Sequence, residues 1–223
     1  MVEEQAMAFL AGLNEYLEKN YTHSVFEEAA GQKDLYCLHL HEHRLLKAAI
    51  AENKTYAIVV TTPDGAQQEL QKTLVKMLYP AKHNAGLQEQ ITLDESVQSQ
   101  GLNPIISARQ RHHVKNKNLF PLMREQEPLI ITLLEGEILR GCIHSFSQHE
   151  IMLTLQNQEQ VVILRHALLD IRNMQKCCFL KSSQQTLRDW TKSGLYIDPI
   201  PRSQLRPGLK KTKIKRRQKI IIR

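Results

Sequence analysis

The chain has 223 residues, 42% of them apolar and 24% charged, an ordinary globular composition with room for two small domains or one large one. No apolar run approaches the roughly 18 residues of a membrane helix, and the opening Met-Val-Glu-Glu is acidic where a secretory leader is basic, so a cytoplasmic protein is expected. The net charge of +7 is local. Arg202 to Arg223 holds ten Lys or Arg and no acid, leaving 20 basic and 23 acidic residues, a net of −3, on the remainder.

The first 21 residues read as an amphipathic helix, with Ala6, Phe9, Leu10, Leu13 and Leu17 at spacings of three and four. From Leu35 the pattern changes to short β-leaning runs, LYCLHLHEHRLLKAAI, TYAIVVTT and QELQKTLVKMLYP. Pro63-Asp64-Gly65 between two of them is a turn, since Pro pre-sets φ and Gly accepts a positive one. His39, His41 and His43 alternate along the first run and so share a face. No cysteine or carboxylate cluster completes a tetrahedral set, so they read as exposed polar residues rather than metal ligands. The four cysteines form no Cys-x-x-Cys pair; Cys37 and Cys142 lie in apolar runs, and Cys177 and Cys178 are adjacent. All four read as buried or incidental thiols, and neither a metal nor another cofactor is expected.

Residues 81–117 turn polar and read as a linker with a short helix, ending in the cluster Arg109, Arg111, His112, His113, Lys115 and Lys117. A helical turn, NLFPLMREQ, leads into a second β-rich unit with the runs LIITLLEGEILRGCIHSF, EIMLTLQ, QVVILRHA and LLDI. Sliding the chain by 93 residues matches the two units without a gap from Leu35 to Leu78. Ile50 falls on Ile143, Tyr56 on His149, Ile58 on Ile151, Lys72 on Arg165 and Leu78 on Ile171. A one-residue slip would invert every strand, so the ungapped match carries weight.

The second unit sets Gly141 in a strand-like run, then Ser145-Phe146-Ser147-Gln148-His149, and later Arg165-His166. In that order these residues resemble the Sm-like fold of the bacterial RNA chaperone Hfq. That family has a glycine before a bent second strand, a Ser-Phe-Asp-Gln-Phe stretch and a Lys-His pair at the last strand. NLFPLMREQEP resembles its N-terminal helix. The resemblance implies a mainly β chain of two Sm-like (SH3-like) five-stranded small barrels, each preceded by a helix, with a basic C-terminal tail. Residues 1–80 would hold the helix and a degenerate barrel, 81–117 the linker, 118–174 the clearer barrel and 175–223 the extension with its arm.

It also implies an Hfq-like protein that binds single-stranded, U-rich RNA as a post-transcriptional regulator or RNA chaperone. By resemblance Gln148 bonds the base, His149 replaces the stacking aromatic, Arg165 keeps the charge of the family's lysine, and His166 matches its histidine. In the first unit Tyr56 and Lys72 fall at the stacking and basic positions, while Thr55, Thr73 and Ala48 replace Gln, His and Gly. Of the family's rim arginines only Arg124 remains, followed by Glu125, Gln126 and Glu127. The tyrosine of its A-rich site is Thr132, with Glu135 and Glu137 beside it. Neither rim-driven annealing nor strong poly-A binding is expected, though His39 lies on that face and is a candidate for stacking a base.

Lys210, Lys211, Lys213, Lys215, Arg216, Arg217 and Lys219 of the arm attract phosphates without reading sequence. An alternative stays open: an Hfq-like protein scaffold with eroded nucleotide sites, its only RNA contact electrostatic and through the tail. Trp190, Leu195, Tyr196 and Ile197 are candidates for packing on the barrel or docking a protein partner, and Pro199, Pro201 and Pro207 break structure beyond them. Neither a catalytic triad nor a phosphate loop stands in a plausible context, so no enzyme is expected. Edge-strand logic with the resemblance implies a homo-oligomeric ring, three chains making a pseudo-hexamer. A single unit-to-unit contact within one chain is the simpler competitor.

Overall fold

The computed structural model describes residues 2–30 and 32–180, so the basic arm and the Trp190–Ile197 segment lie outside the described residues. Helix α1 (Val2–Asn20) buries Leu13 and packs Phe9, Tyr16 and Leu17, while Leu10 of the expected stripe is 53% exposed. Its apolar side serves the distant half of the chain. Phe9 and Tyr16 meet Phe120 at 5.6 and 5.8 Å, and Tyr16 lies 4.7 Å from Phe146. The Tyr16 hydroxyl donates to the Phe146 carbonyl and accepts from its N–H, at 2.9 and 2.7 Å. Helix α2 (Val25–Ala30) buries Val25, Phe26 and Ala29 against the first β-unit.

The first unit comprises β1 (Leu35–Leu40), β2 (Leu45–Asn53), β3 (Ala57–Thr61), β4 (Gln67–Gln71) and β5 (Val75–Pro80). After α3 (Asn84–Gln90), β6 (Thr92–Leu93), α4 (Glu95–Gln98) and α5 (Asn116–Arg124) comes the second. It comprises β7 (Leu129–Leu133), β8 (Glu137–Phe146), β9 (Glu150–Leu155), β10 (Gln160–Leu164) and β11 (Leu168–Asn173). Three-residue 3-10 turns at Lys72–Leu74 and Arg165–Ala167 join the last two strands of each unit.

The fold is mainly β, an eleven-stranded antiparallel sheet with a few helices. Its order is β11-β7-β8-β9-β10-β5-β1-β2-β3-β4, with β6 added on β8. In place of the two expected five-stranded barrels, the strands form one continuous path. β10 pairs with β5 through Val162↔Leu78 and Ile163↔Met77. Among the described residues no ladder closes β4 on β5, or β10 on β11.

The 93-residue offset governs register as well as sequence. Cys37↔Lys47 in the first unit becomes Ile130↔Arg140 in the second. Bulges fall at Ile50/Glu52 and Ile143/Ser145, and both fifth strands shift register opposite the same point of the first strand. At the seam, β5 alternates as a doubly covered strand must. Met77 and Tyr79 join the core of the second unit, and Leu78 joins that of the first.

Two sequence expectations need correction. Residues 81–117 are not a mere spacer: Leu87 and Val97 are fully buried, and Thr92↔Ile138 and Leu93↔Glu137 extend the sheet. Asp94 caps α4, accepting from the Ser96 and Val97 N–H groups at 3.0 and 3.3 Å. The histidine run is not one exposed strand face. β1 ends at Leu40, and a tight turn with φ of 64° at Glu42 and 53° at His43 reverses the chain. His39 bonds Tyr79 at 2.9 Å, His41 is 3% exposed, and only His43 of the three is open to solvent.

No helix among the described residues is long and apolar enough to cross a membrane.

Candidate functional site

Each unit presents a ring and a cation at the same place. The Lys72 N–H donates to the Tyr56 carbonyl at 2.9 Å, and the Arg165 N–H donates to the His149 carbonyl at 2.8 Å. The 3-10 turn after the fourth strand therefore holds the cation beside the residue that opens the third. Both pairs line one groove of two adjoining cavities, about 550 and 660 Å³, that share Ala108, Arg111, His149 and His166. Phe26, Tyr56 and Lys72 line the larger; Tyr21, Lys115, Gln148 and Arg165 line the smaller.

Tyr56 is 79% exposed, and Gln148 and His149 are exposed at the mouth. The Gln148 N–H is held by the Tyr21 carbonyl at 2.9 Å, which ties this stretch to the end of α1. Arg165 lies deeper, its guanidinium 5.6 Å over the Phe146 ring. Its Nη1 donates to Asn116 Oδ1 at 3.0 Å, and its Nη2 is buried with no hydrogen-bond partner among the described residues. Burial lowers its pKa to about 10, so the charge persists at neutral pH.

His166 is 8% exposed and bonds the Val75 carbonyl across the seam at 2.8 Å. A carbonyl only accepts, so Nε2 carries the proton and Nδ1 of the neutral ring is left as an acceptor. Burial lowers its pKa to about 4. Desolvation, with the charges of Arg111, Arg165 and Lys72, also holds His149 below its ordinary value. Lys72 sits 5.6 Å over the Phe26 ring, and desolvation lowers its pKa.

Against Lys72, Arg111, Lys115 and Arg165, the one carboxylate among the described lining residues is Glu150. It is engaged at the start of α2, accepting from the Val25 N–H at 3.0 Å and from Ser24 Oγ at 3.2 Å. The groove is thus cationic, ringed by aromatic and imidazole faces, and open along one side.

Gln148, His149, Arg165, His166, Tyr56 and Lys72 come together in it; Arg124 does not. Arg124 ends α5 and lies 5.8 Å over Phe120. Sequence reasoning missed the contribution of Tyr21 and Phe26, and of Arg111 and Lys115 from the supposed linker. The cationic cluster at the end of that segment was their signal.

Gly141 has a steric role. A Cβ there would lie 2.2 Å from the Thr154 carbonyl oxygen, so its absence lets β8 and β9 approach.

The opposite face is closed differently. Thr132 is fully buried, and Glu135 and Glu137 both bind the buried Lys76 ammonium. Despite desolvation, Lys76 and the N–H groups of Glu42 and His43 hold the Glu135 carboxyl below its ordinary pKa. His43, Glu135 and Glu137 bring donor atoms within 4.8 Å of one another, but both carboxylates there already bind the Lys76 ammonium. Desolvation brings His39 to about 4.

No protein-family model, curated protein or solved structure gives a significant match to the chain.

Proposed function

We propose that this is a tandem Sm-like, Hfq-like protein that binds single-stranded, U-rich RNA in the groove spanning its two units. The observation that carries the reading is the repeated ring and cation, Tyr56 with Lys72 and His149 with Arg165, along one cationic groove. Single-stranded bases are held by stacking on such rings, with cations on the phosphates and polar groups on the exposed edges. Arg165 Nη2 is a donor without a partner among the described residues, and His166 Nδ1 and the Gln148 amide add an acceptor and a mixed group. Those are the types that pair with the edge of uracil. The activity is binding without catalysis, with no cofactor, in the cytoplasm. Additional phosphate affinity comes from the arm.

Fluorescence anisotropy with U-rich and A-rich oligomers tests this at low and moderate salt. Wild type is compared with Gln148→Ala/Arg165→Ala/His166→Ala, with Tyr56→Ala/Lys72→Ala, and with a chain ending before Arg202. The groove variants are expected to lose tenfold or more for U-rich RNA at moderate salt. Should only the shortened chain lose affinity, steeply with salt, the tail alone binds and the scaffold reading replaces this one.

A further inference from the structure

The two ends of the sheet are not alike. At β4, the bonds Lys72 N–H to Tyr56 C=O and Thr62 N–H to Ala66 C=O fix the pairing parity with β3. Gln67, Glu69 and Gln71 therefore turn their N–H and C=O groups away from the sheet, and all three are exposed. At β11 the outward groups belong to Leu169, Ile171 and Asn173, and the chain fills them itself. His112 Nδ1 donates to the Leu169 carbonyl at 2.7 Å. The Phe179 N–H donates to the Ile171 carbonyl at 3.0 Å, and the Asn173 N–H donates to the Cys177 carbonyl at 3.2 Å. Arg172 and Cys178 face each other in an antiparallel bridge, and buried Leu180 anchors the segment beside Val114.

The chain also contains a template for what these edges would otherwise do. β10 is the counterpart of β4, and β5 of β11, at the 93-residue offset; within the chain β10 fills the outer edge of β5. Carried back along the offset, Val162↔Leu78 and Ile163↔Met77 become Glu69↔Ile171 and Leu70↔Asp170 between two copies. In that register the outward groups match pair for pair: Glu69 with Ile171, Gln67 with Asn173, Gln71 with Leu169. Residues 177–180 run antiparallel to β11, as a second copy's β4 would, and use the Ile171 carbonyl and the Asn173 N–H, two of the groups that β4 would take; His112 holds the third, at Leu169.

We propose that residues 177–180 are an exchangeable plug on the β11 edge. With the plug seated the protein is a single copy. When it is displaced, β4 of a second copy pairs with β11 in the register of β10 on β5. A ring of copies requires that exchange at every junction, independently of whether the groove binds RNA.

The test is the mass of the full chain by sedimentation and native mass spectrometry over roughly a hundredfold concentration range. Wild type is expected at 25.8 kDa throughout. Phe179→Pro removes the N–H that bonds Ile171 and should give concentration-dependent assembly into two or more copies. Adding Glu69→Pro, which removes the matching N–H on β4, should restore the single copy. Leu180→Asp unseats the anchor without touching the ladder and should act like Phe179→Pro. The proposal is overturned by a wild type that already assembles, or by assembly that Glu69→Pro does not reverse. It is also overturned if both plug variants keep native circular dichroism and stay single. Loss of the sheet signal in both would make 177–180 part of the core rather than a plug, and overturns it too.

Discussion

The Lys76 ammonium of β5 is bound to the carboxylate of Glu137 in β8, with both side chains almost wholly buried. Glu135 binds the same ammonium, so a desolvated ion cluster spans the seam between the two units. Lys76→Met leaves the buried Glu137 and the half-buried Glu135 carboxylates without their counter-charge and is expected to cost about 3–5 kcal/mol. Urea denaturation measures it, and Lys76→Met with Glu135→Gln and Glu137→Gln should recover most of the loss. A single variant as stable as wild type would show that the cluster is solvated in solution.

Gly141 and Ala48 occupy equivalent positions in β8 and β2, yet only one tolerates a side chain. Gly141→Ala drives a methyl into the Thr154 carbonyl and is expected to cost about 1–3 kcal/mol or more. Ala48→Gly is expected to cost about 1–2 kcal/mol, through chain entropy and the loss of a fully buried methyl. Denaturation curves measure both, and a Gly141→Ala chain as stable as wild type would remove the close approach of β8 and β9 as a constraint.

Burial holds His39 and His166 neutral, each with a pKa of about 4 against 6.5 in the unfolded chain. Between those values the unfolded chain binds more protons. The stability these rings contribute is therefore whole above pH 6.5 and lost as pH falls toward 4. Roughly 1–2 kcal/mol for each is expected to go between pH 7.5 and pH 5. Denaturation midpoints at the two pH values, for wild type and His166→Gln, check this through a shallower pH dependence in the variant.

Arg165→Lys separates charge from geometry in the groove. Lysine keeps the cation but loses the plane over Phe146 and the Nη2 that has no hydrogen-bond partner among the described residues. A loss of about tenfold for U-rich oligomers, with the salt slope unchanged, is expected under the proposed function. Tyr56→Ala should cost about 1–3 kcal/mol of binding and Tyr56→Phe almost nothing, if a base stacks there. Indifference to both ring variants would take Tyr56 out of the site.

Much of this was legible in the residues. Helix α1 and the strand runs follow from the spacing of apolar residues, and the Gly65 turn from the φ preferences of Pro63 and Gly65. The offset was legible from Leu35 to Leu78 since strand lengths and bulges recur without a gap, and the elements continue it to Asn173. The seam was not. Val75–Tyr79 is buried on both sides, which marks a covered strand but not the neighbour that covers it. Residues 81–117 hid their structure because each short piece has a single anchor, Leu87, Val97 or Val114, too few to make a period. The turn at Glu42-His43 gave little signal, since the tight reversal carries neither glycine, asparagine nor proline. The groove was half visible: its paired residues lie on strands and turns with a repeat to compare, and Arg111 comes from a segment that has none.

The covalent link at Gly101 does little to hold the units together. A cut at exposed Gly101 would leave β6 on β8, β10 on β5 and Lys76 on Glu137, each contact joining opposite sides of the break. Proteolysis there is expected to yield two peptides that still migrate as one particle and part only in denaturant, as size-exclusion chromatography with and without urea would show. The two pieces, made separately, are suited to reconstituting each other in trans.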